Sequence, residues 1–241
     1  MKLFTKLSFV IFILLFVVSC TKDNTTTPQD TATMADYMPL TIGSWWKYEQ
    51  YDVDDFGTRY NKMIYTLTVT GTKIVSGKLG FVISAKSENS DSTHELYYQI
   101  EGEKLFIFEE GLAEEYGGWL IFADLNNNLW TLKDTTEISD SVGIHSESYT
   151  NWTIKKGGQK DFQLNGRTIQ SQEFISELIW IITGIKESVS YVDTLKFIGH
   201  TWYGKGVGMI HRIDSEIFTH KDNPWPNKEE KETILVDYEI K

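Results

Sequence analysis

Cysteine occurs once in this 241-residue chain, at position 20, and proline four times. A lone thiol excludes an internal disulfide framework and leaves no thiolate pair for a structural zinc site. The five histidines are scattered, at 94, 145, 200, 211 and 220, without the H-E-x-x-H spacing of a metalloprotease. No Gly-x-Ser-x-Gly elbow is present, so the usual serine-hydrolase nucleophile is missing. Basic residues are outnumbered 34 to 23, for a formal charge of −11, and they do not cluster. A polyanion binder needs grouped Lys and Arg to release counterions, so nucleic acid is excluded as a partner. The main apolar run, Phe9 to Val18, is shorter than the roughly 20 residues that span a bilayer.

What is present begins with that run. Lys2 and Lys6 precede it, and Val17-Val18-Ser19 places small residues directly before Cys20. This is the pattern of a bacterial lipoprotein signal: residues 1–19 are expected to be removed and Cys20 to carry a diacylglycerol thioether and an acylated amino group. The alternatives are an ordinary secretory signal and an uncleaved helix, against which stand the shortness of the run and the polar segment Thr21 to Asp30. Two or three acyl chains hold a membrane stably where one is marginal. The expected partner is therefore a membrane, gripped through Cys20, and the expected place is the cell envelope, most naturally the outer membrane on its periplasmic face or at the surface. Loss of Lys2 and Lys6 makes the mature chain two units more negative still, so the anchor rather than a basic patch must hold the bilayer.

Residues 20–36 are rich in Thr, Asp, Asn and Ala with almost no bulky apolar side chain, and are expected to be a lipidated tether too polar to build a core. From Tyr37 the composition switches to aromatic and β-branched residues punctuated by glycine, so 37–241 is expected to be one antiparallel all-β domain. Met63, Tyr65, Leu67 and Val69 alternate with threonines. Ile234, Val236, Tyr238 and Ile240 alternate with polar residues near the end. Turns are expected at Ser76-Gly77, Glu101-Gly102, Gly157-Gly158 and Asn165-Gly166, the last suiting a type I′ hairpin. Leu105 to Phe108 lacks alternation and should be covered on both faces. Phe174 to Ile185 reads as a long strand rather than a helix because of its isoleucines. The fold class expected is a single antiparallel β domain, either a partly open barrel or two packed sheets, with few or no helices.

The segment Tyr37-Met38-Pro39-Leu40-Thr41-Ile42-Gly43-Ser44-Trp45-Trp46-Lys47-Tyr48 resembles the Y-x-P-L-x-x-G-x-x-W-x-Y opening of Bacteroidetes-type lipoproteins of uncharacterised function, and Gly204-Lys205-Gly206-Val207-Gly208 is similar to their close. Ser44 stands where Asn is commoner. The resemblance implies a secreted β-rich domain and carries no catalytic residues. Lys22-Asp23 resembles a fragment of a surface-export signal of such bacteria, and Asp30-Thr31-Ala32 resembles their O-glycosylation acceptor, making Thr31 a candidate glycosylation site beside the plain-linker reading. Independently of any family, Trp46 and Tyr48 share one strand face and are expected to plug an end of the core. The glycine-rich close lacks P-loop spacing and runs into a strand, so a bulge or a close backbone approach is expected there.

Remaining constellations favour bland roles. Asp124-Leu125-Asn126-Asn127-Asn128 has oxygen ligands at calcium-loop spacing, but Leu129 and Thr135 replace the Gly and Glu such a loop needs, so a turn is expected. Glu109-Glu110 and Glu114-Glu115 are adjacent pairs that point to opposite faces, unlike a glycosidase dyad. The histidines are expected to pair with other residues rather than ligate a metal. No catalytic residue, metal or cofactor is expected. Binding is the role left. Trp225, between Pro224 and Pro226 in what reads as a stiff polar loop before the last strand, is the candidate ligand-stacking residue for a glycan, unless it folds back onto the core. A lipid or lipoprotein carrier, or an accessory subunit of an outer-membrane complex, are the other expectations. A continuous apolar concavity with no exposed Trp would favour the carrier, and a shallow groove with Trp or Tyr on its rim the glycan.

Overall fold

The computed structural model describes residues 32–110, 118–141, 144–186, 189–220 and 223–241. Cys20, Thr31 and the Glu114-Glu115 pair lie outside them. Twelve antiparallel strands form one sheet in the order β6-β5-β4-β3-β2-β1-β12-β11-β10-β9-β8-β7, nearly closed into a barrel. They are β1 (Trp45–Val53), β2 (Arg59–Val75), β3 (Lys78–Ser87), β4 (Thr93–Glu101), β5 (Lys104–Phe108), β6 (Trp119–Asp124), β7 (Leu129–Ser141), β8 (Ile144–Leu164), β9 (Arg167–Lys186), β10 (Val189–Gly204), β11 (Gly208–His220) and β12 (Asn223–Glu239). A short helix, α1 (Met34–Tyr37), precedes them. Of the two architectures open to the sequence, the barrel forms, because β1 pairs with β12 and so joins the two halves of the meander edge to edge.

Local chemistry accounts for the strand joints. Ser76 and Gly77 have φ of 48° and 79°, and Asn165 and Gly166 of 50° and 73°, the double positive φ of a type I′ hairpin. Gly157-Gly158 behaves otherwise than expected. Neither residue has positive φ among those that do, and both sit inside the continuous strand β8, where the register shifts between Lys156 and Gln159. Their smallness is used instead: a Cβ on Gly157 would fall 2.2 Å from Glu173 Oε2. Phe174 to Ile185 lies in β9 as expected. Leu105 and Phe106, on opposite faces of β5, are both buried, Leu105 in the barrel core and Phe106 on the outer face beneath Lys78, whose Nζ lies 4.7 Å from the ring centroid. Outer-face aromatics such as Trp119, which stacks edge-on to Phe108 at 5.4 Å, supply the second cover.

One end of the barrel is filled. Trp46 and Tyr48 are fully buried there with Leu67, Ile83, Leu105, Phe174 and Leu235. Tyr48 stacks on Tyr65 at 5.3 Å and donates its hydroxyl to Met209 O at 3.0 Å. The glycine-rich segment makes the expected close approach: Trp46 Nε1 donates to Val207 O, and a Cβ on Gly208, at φ 109°, would meet that nitrogen at 2.7 Å. The compact unit runs from Ala32 to Lys241, with α1 at its start. Asp36 caps α1 by accepting from the Thr33 amide at 2.7 Å, Met34 is fully buried, and its amide donates to Gly102 O at 3.0 Å.

The two sheet edges, β6 and β7, are neighbours in sequence yet share no backbone ladder among the described residues. Trp130 Nε1 spans the seam to Ile121 O at 2.9 Å, and Lys156 Nζ reaches Leu125 O at 2.6 Å. The Asp124 turn beside the seam is a turn as expected: Asp124 Oδ1 accepts from the amides of Asn126 at 2.9 Å and Asn127 at 3.3 Å.

Candidate functional site

Above the filled end the barrel encloses a cavity of about 480 Å³. Its two walls differ in chemistry. Leu96 and Tyr98 of β4, Ile107 of β5, Leu120 and Phe122 of β6, Trp152 of β8, Leu178 of β9 and Phe197 of β10 make the apolar side. Arg212, Asp214 and Glu216 of β11 and Glu229 and Lys231 of β12 make the charged side, with Glu109 beyond β5. Strand register explains the segregation, since residues two apart share a face and direct partners align across strands. Asp214 pairs with Lys231 and Glu216 with Glu229.

Arg212 and Asp214 form a fork, Nε to Oδ2 at 2.7 Å and an Nη to Oδ1 at 2.8 Å. Their side chains keep 34% and 36% of their accessible surface although the barrel wall surrounds them, because what they face is the cavity. Burial works against the guanidinium charge, and the Asp214 carboxylate more than offsets it, so Arg212 holds its proton more tightly than usual. The guanidinium lies 5.7 Å from the Phe122 ring centroid, across the interior. At the deep end, burial pushes the phenol of Tyr98 up to about 12, opposed by the Arg212 charge, and raises those of Tyr65 and Tyr203. These hydroxyls stay neutral hydrogen-bonding groups at neutral pH. At the other end Glu216, Glu229 and Lys231 are exposed, so the cavity communicates with solvent. Leu195 pairs with both Trp180 and Phe218 on the face that Phe197 presents to the cavity, and these two rings are 41% and 38% exposed. An apolar rim therefore borders the mouth.

Sequence reasoning missed this charged wall. Arg212, Asp214 and Glu216 stand at alternate positions and so share a strand face, but alternation alone assigns a charged face to bulk water. Of the residues it singled out, Glu109 lines the cavity, and its neighbour Glu110 is exposed. Trp225 falls in β12 by backbone rather than in a loop ahead of it, a correction set by the pairing of Asn223 with His220, and its side chain lies outside the described residues. Among the described residues, the aromatics on the mouth are Trp180 and Phe218.

Three of the histidines pair with carboxylates. His200 Nδ1 lies 2.8 Å from Glu173 Oε1, His211 Nε2 2.7 Å from Glu232 Oε1, and His220 contacts Asp193. His200 and His211 both stack on Trp202, with ring centroids 5.9 and 5.0 Å away. Burial lowers the His211 pKa against the pull of Glu232, and its Nδ1 is buried without a partner. Glu232 is held below the usual carboxylate range, despite burial, by Arg59 and then His211. Among the described residues no group of three His, Cys, Asp or Glu is arranged to hold a metal ion.

No family model and no curated protein sequence matches the chain. Among solved structures, a predicted lipoprotein from Parabacteroides distasonis is similar over 84% of this chain and 98% of its own, at 11% identity and a TM-score of 0.42. A predicted exported protein with a YmcC-like fold from Bacteroides fragilis covers the same shares at 8% identity and 0.41. Likeness at that level transfers no ligand, site or location to this chain.

Proposed function

We propose that this protein is a lipid-anchored envelope protein that binds a small amphiphilic ligand in its barrel and catalyses nothing. The observation that carries the binding role is the cavity: a space of about 480 Å³ with an apolar wall on one side and a charged wall on the other suits a molecule with one greasy and one polar part. The enclosure of that space, with apolar residues along one whole wall, favours a carrier over a shallow glycan groove. The half-exposed Trp180 on the same face is the feature a sugar-binding rim would use. Trp225 remains the other candidate stacking ring, and Thr31 the candidate O-glycosylation site.

A thermal-shift screen of the full chain against single-chain lipids and glycans tests the role, since a ligand that binds only the folded form raises Tm. Lipids are expected to raise it, and Leu178→Trp, which fills the space between its strand partners Trp152 and Phe197, is expected to remove that shift while leaving a cooperative melt. A screen with no stabilising lipid overturns the carrier reading, and stabilisation by glycans alone replaces it with the glycan one. The anchor has its own test. Radiolabelled palmitate should enter the wild type and not Cys20→Ser, and absence of label from the wild type removes the anchor.

A further inference from the structure

Resting on the binding role proposed above, we infer that the ligand's polar part is an organic cation, an ammonium group held at the cavity mouth. The charges facing the space do not balance. Four carboxylates, Glu109, Asp214, Glu216 and Glu229, meet two cations, Arg212 and Lys231. Arg212 is consumed by its two-bonded fork with Asp214, and Lys231 stands directly opposite that same Asp214. Glu216 and Glu229 are left facing each other across β11 and β12, with no ion pair or hydrogen bond to any described residue.

Like charges directly opposed on neighbouring strands destabilise a sheet, and a cation placed between them relieves that repulsion. The surroundings select the kind of cation. Phe197 is the strand partner of Glu216, and Phe218 follows Glu216 on the same face of β11. Carboxylates set among aromatic rings recognise an alkylated ammonium, whose charge is spread over apolar surface and attracted to ring faces, better than a small hydrated metal ion. The apolar body then lies along Leu120, Phe122 and Leu178. An anionic head in the same place would meet unpaired carboxylates at short range and be rejected.

Titration calorimetry on the full chain with octyltrimethylammonium, 1-octanol and octanoate separates the two readings. Octyltrimethylammonium is expected to bind about tenfold more tightly than octanol, about 1.4 kcal/mol, and octanoate more weakly than either. In Glu216→Gln/Glu229→Gln the ammonium advantage should fall to about one, with Tm equal to or above wild type because the opposed charges are gone. Equal or tighter binding of octanoate, or an ammonium preference that survives in the double variant, overturns the cationic ligand while leaving the cavity reading intact. Failure of all three probes to bind a protein that melts cooperatively overturns both.

Discussion

Single residues decide how the barrel is filled and how its interior is charged. The Trp46 and Tyr48 pair was legible from spacing alone, since two large aromatics on one face of a first strand must be buried somewhere, and both are. Arg212 and Asp214 were not legible, because the pattern that reveals a shared face does not reveal which face turns inward. The buried phenols carry a measurable consequence. Tyr98 has a pKa raised to about 12 in the folded protein by burial, against about 10 in an unfolded chain. Folding then favours the proton-bound form, so the contribution is complete below about pH 10 and is lost as pH rises towards 12. Denaturant titrations across that interval should show stability falling with pH, and Tyr98→Phe should flatten part of the slope. A wild-type stability flat from pH 10 to 12 contradicts a buried phenol there.

At the scale of elements, strands and two-residue turns were readable because alternation and Asn-Gly chemistry are local. Gly157-Gly158 was misread because a glycine pair signals either positive φ or missing bulk, and only the neighbouring Glu173 shows which is used. The β6–β7 seam was invisible for a similar reason: consecutive strands joined by a short turn are expected to pair, yet these two form the edges of the sheet. Strand β7 is laddered only to β8, whereas β1 lies between β2 and β12. Amide exchange should therefore be fastest along β7, where Ile138 is 67% exposed, and slowest in β1. Equal protection of β7 and β1 would show a closed seam instead.

For the whole molecule, the decisive contact is the pairing of the first strand with the last. Trp45 Nε1 donates to Glu239 at 3.1 Å from 194 positions away, and Leu235, the strand partner of Tyr48, is buried in the same core. The final strand is thus a central one, flanked by β1 and β11. Deleting Ile234–Lys241 is expected to abolish the cooperative thermal melt and the β-type circular dichroism, where trimming a peripheral tail would cost little. A truncated chain that still melts cooperatively would mean the two halves fold independently. Closure over so long a separation also places folding among the slow, non-local class.

By itself the sequence determined the all-β class, the positions of many strands and turns, the aromatic plug and the acidic balance, since each follows from side-chain period, backbone dihedral preference or composition. Its lipoprotein signal and tether set an expectation about location that rests on pattern. The tertiary structure alone decided that the strands close towards a barrel rather than stack as two sheets, that the seam falls between β6 and β7, and that a charged strand face looks inward onto a cavity. Those outcomes depend on which distant edges meet, and pairing across long separations is a property of the folded whole that no local window of residues contains.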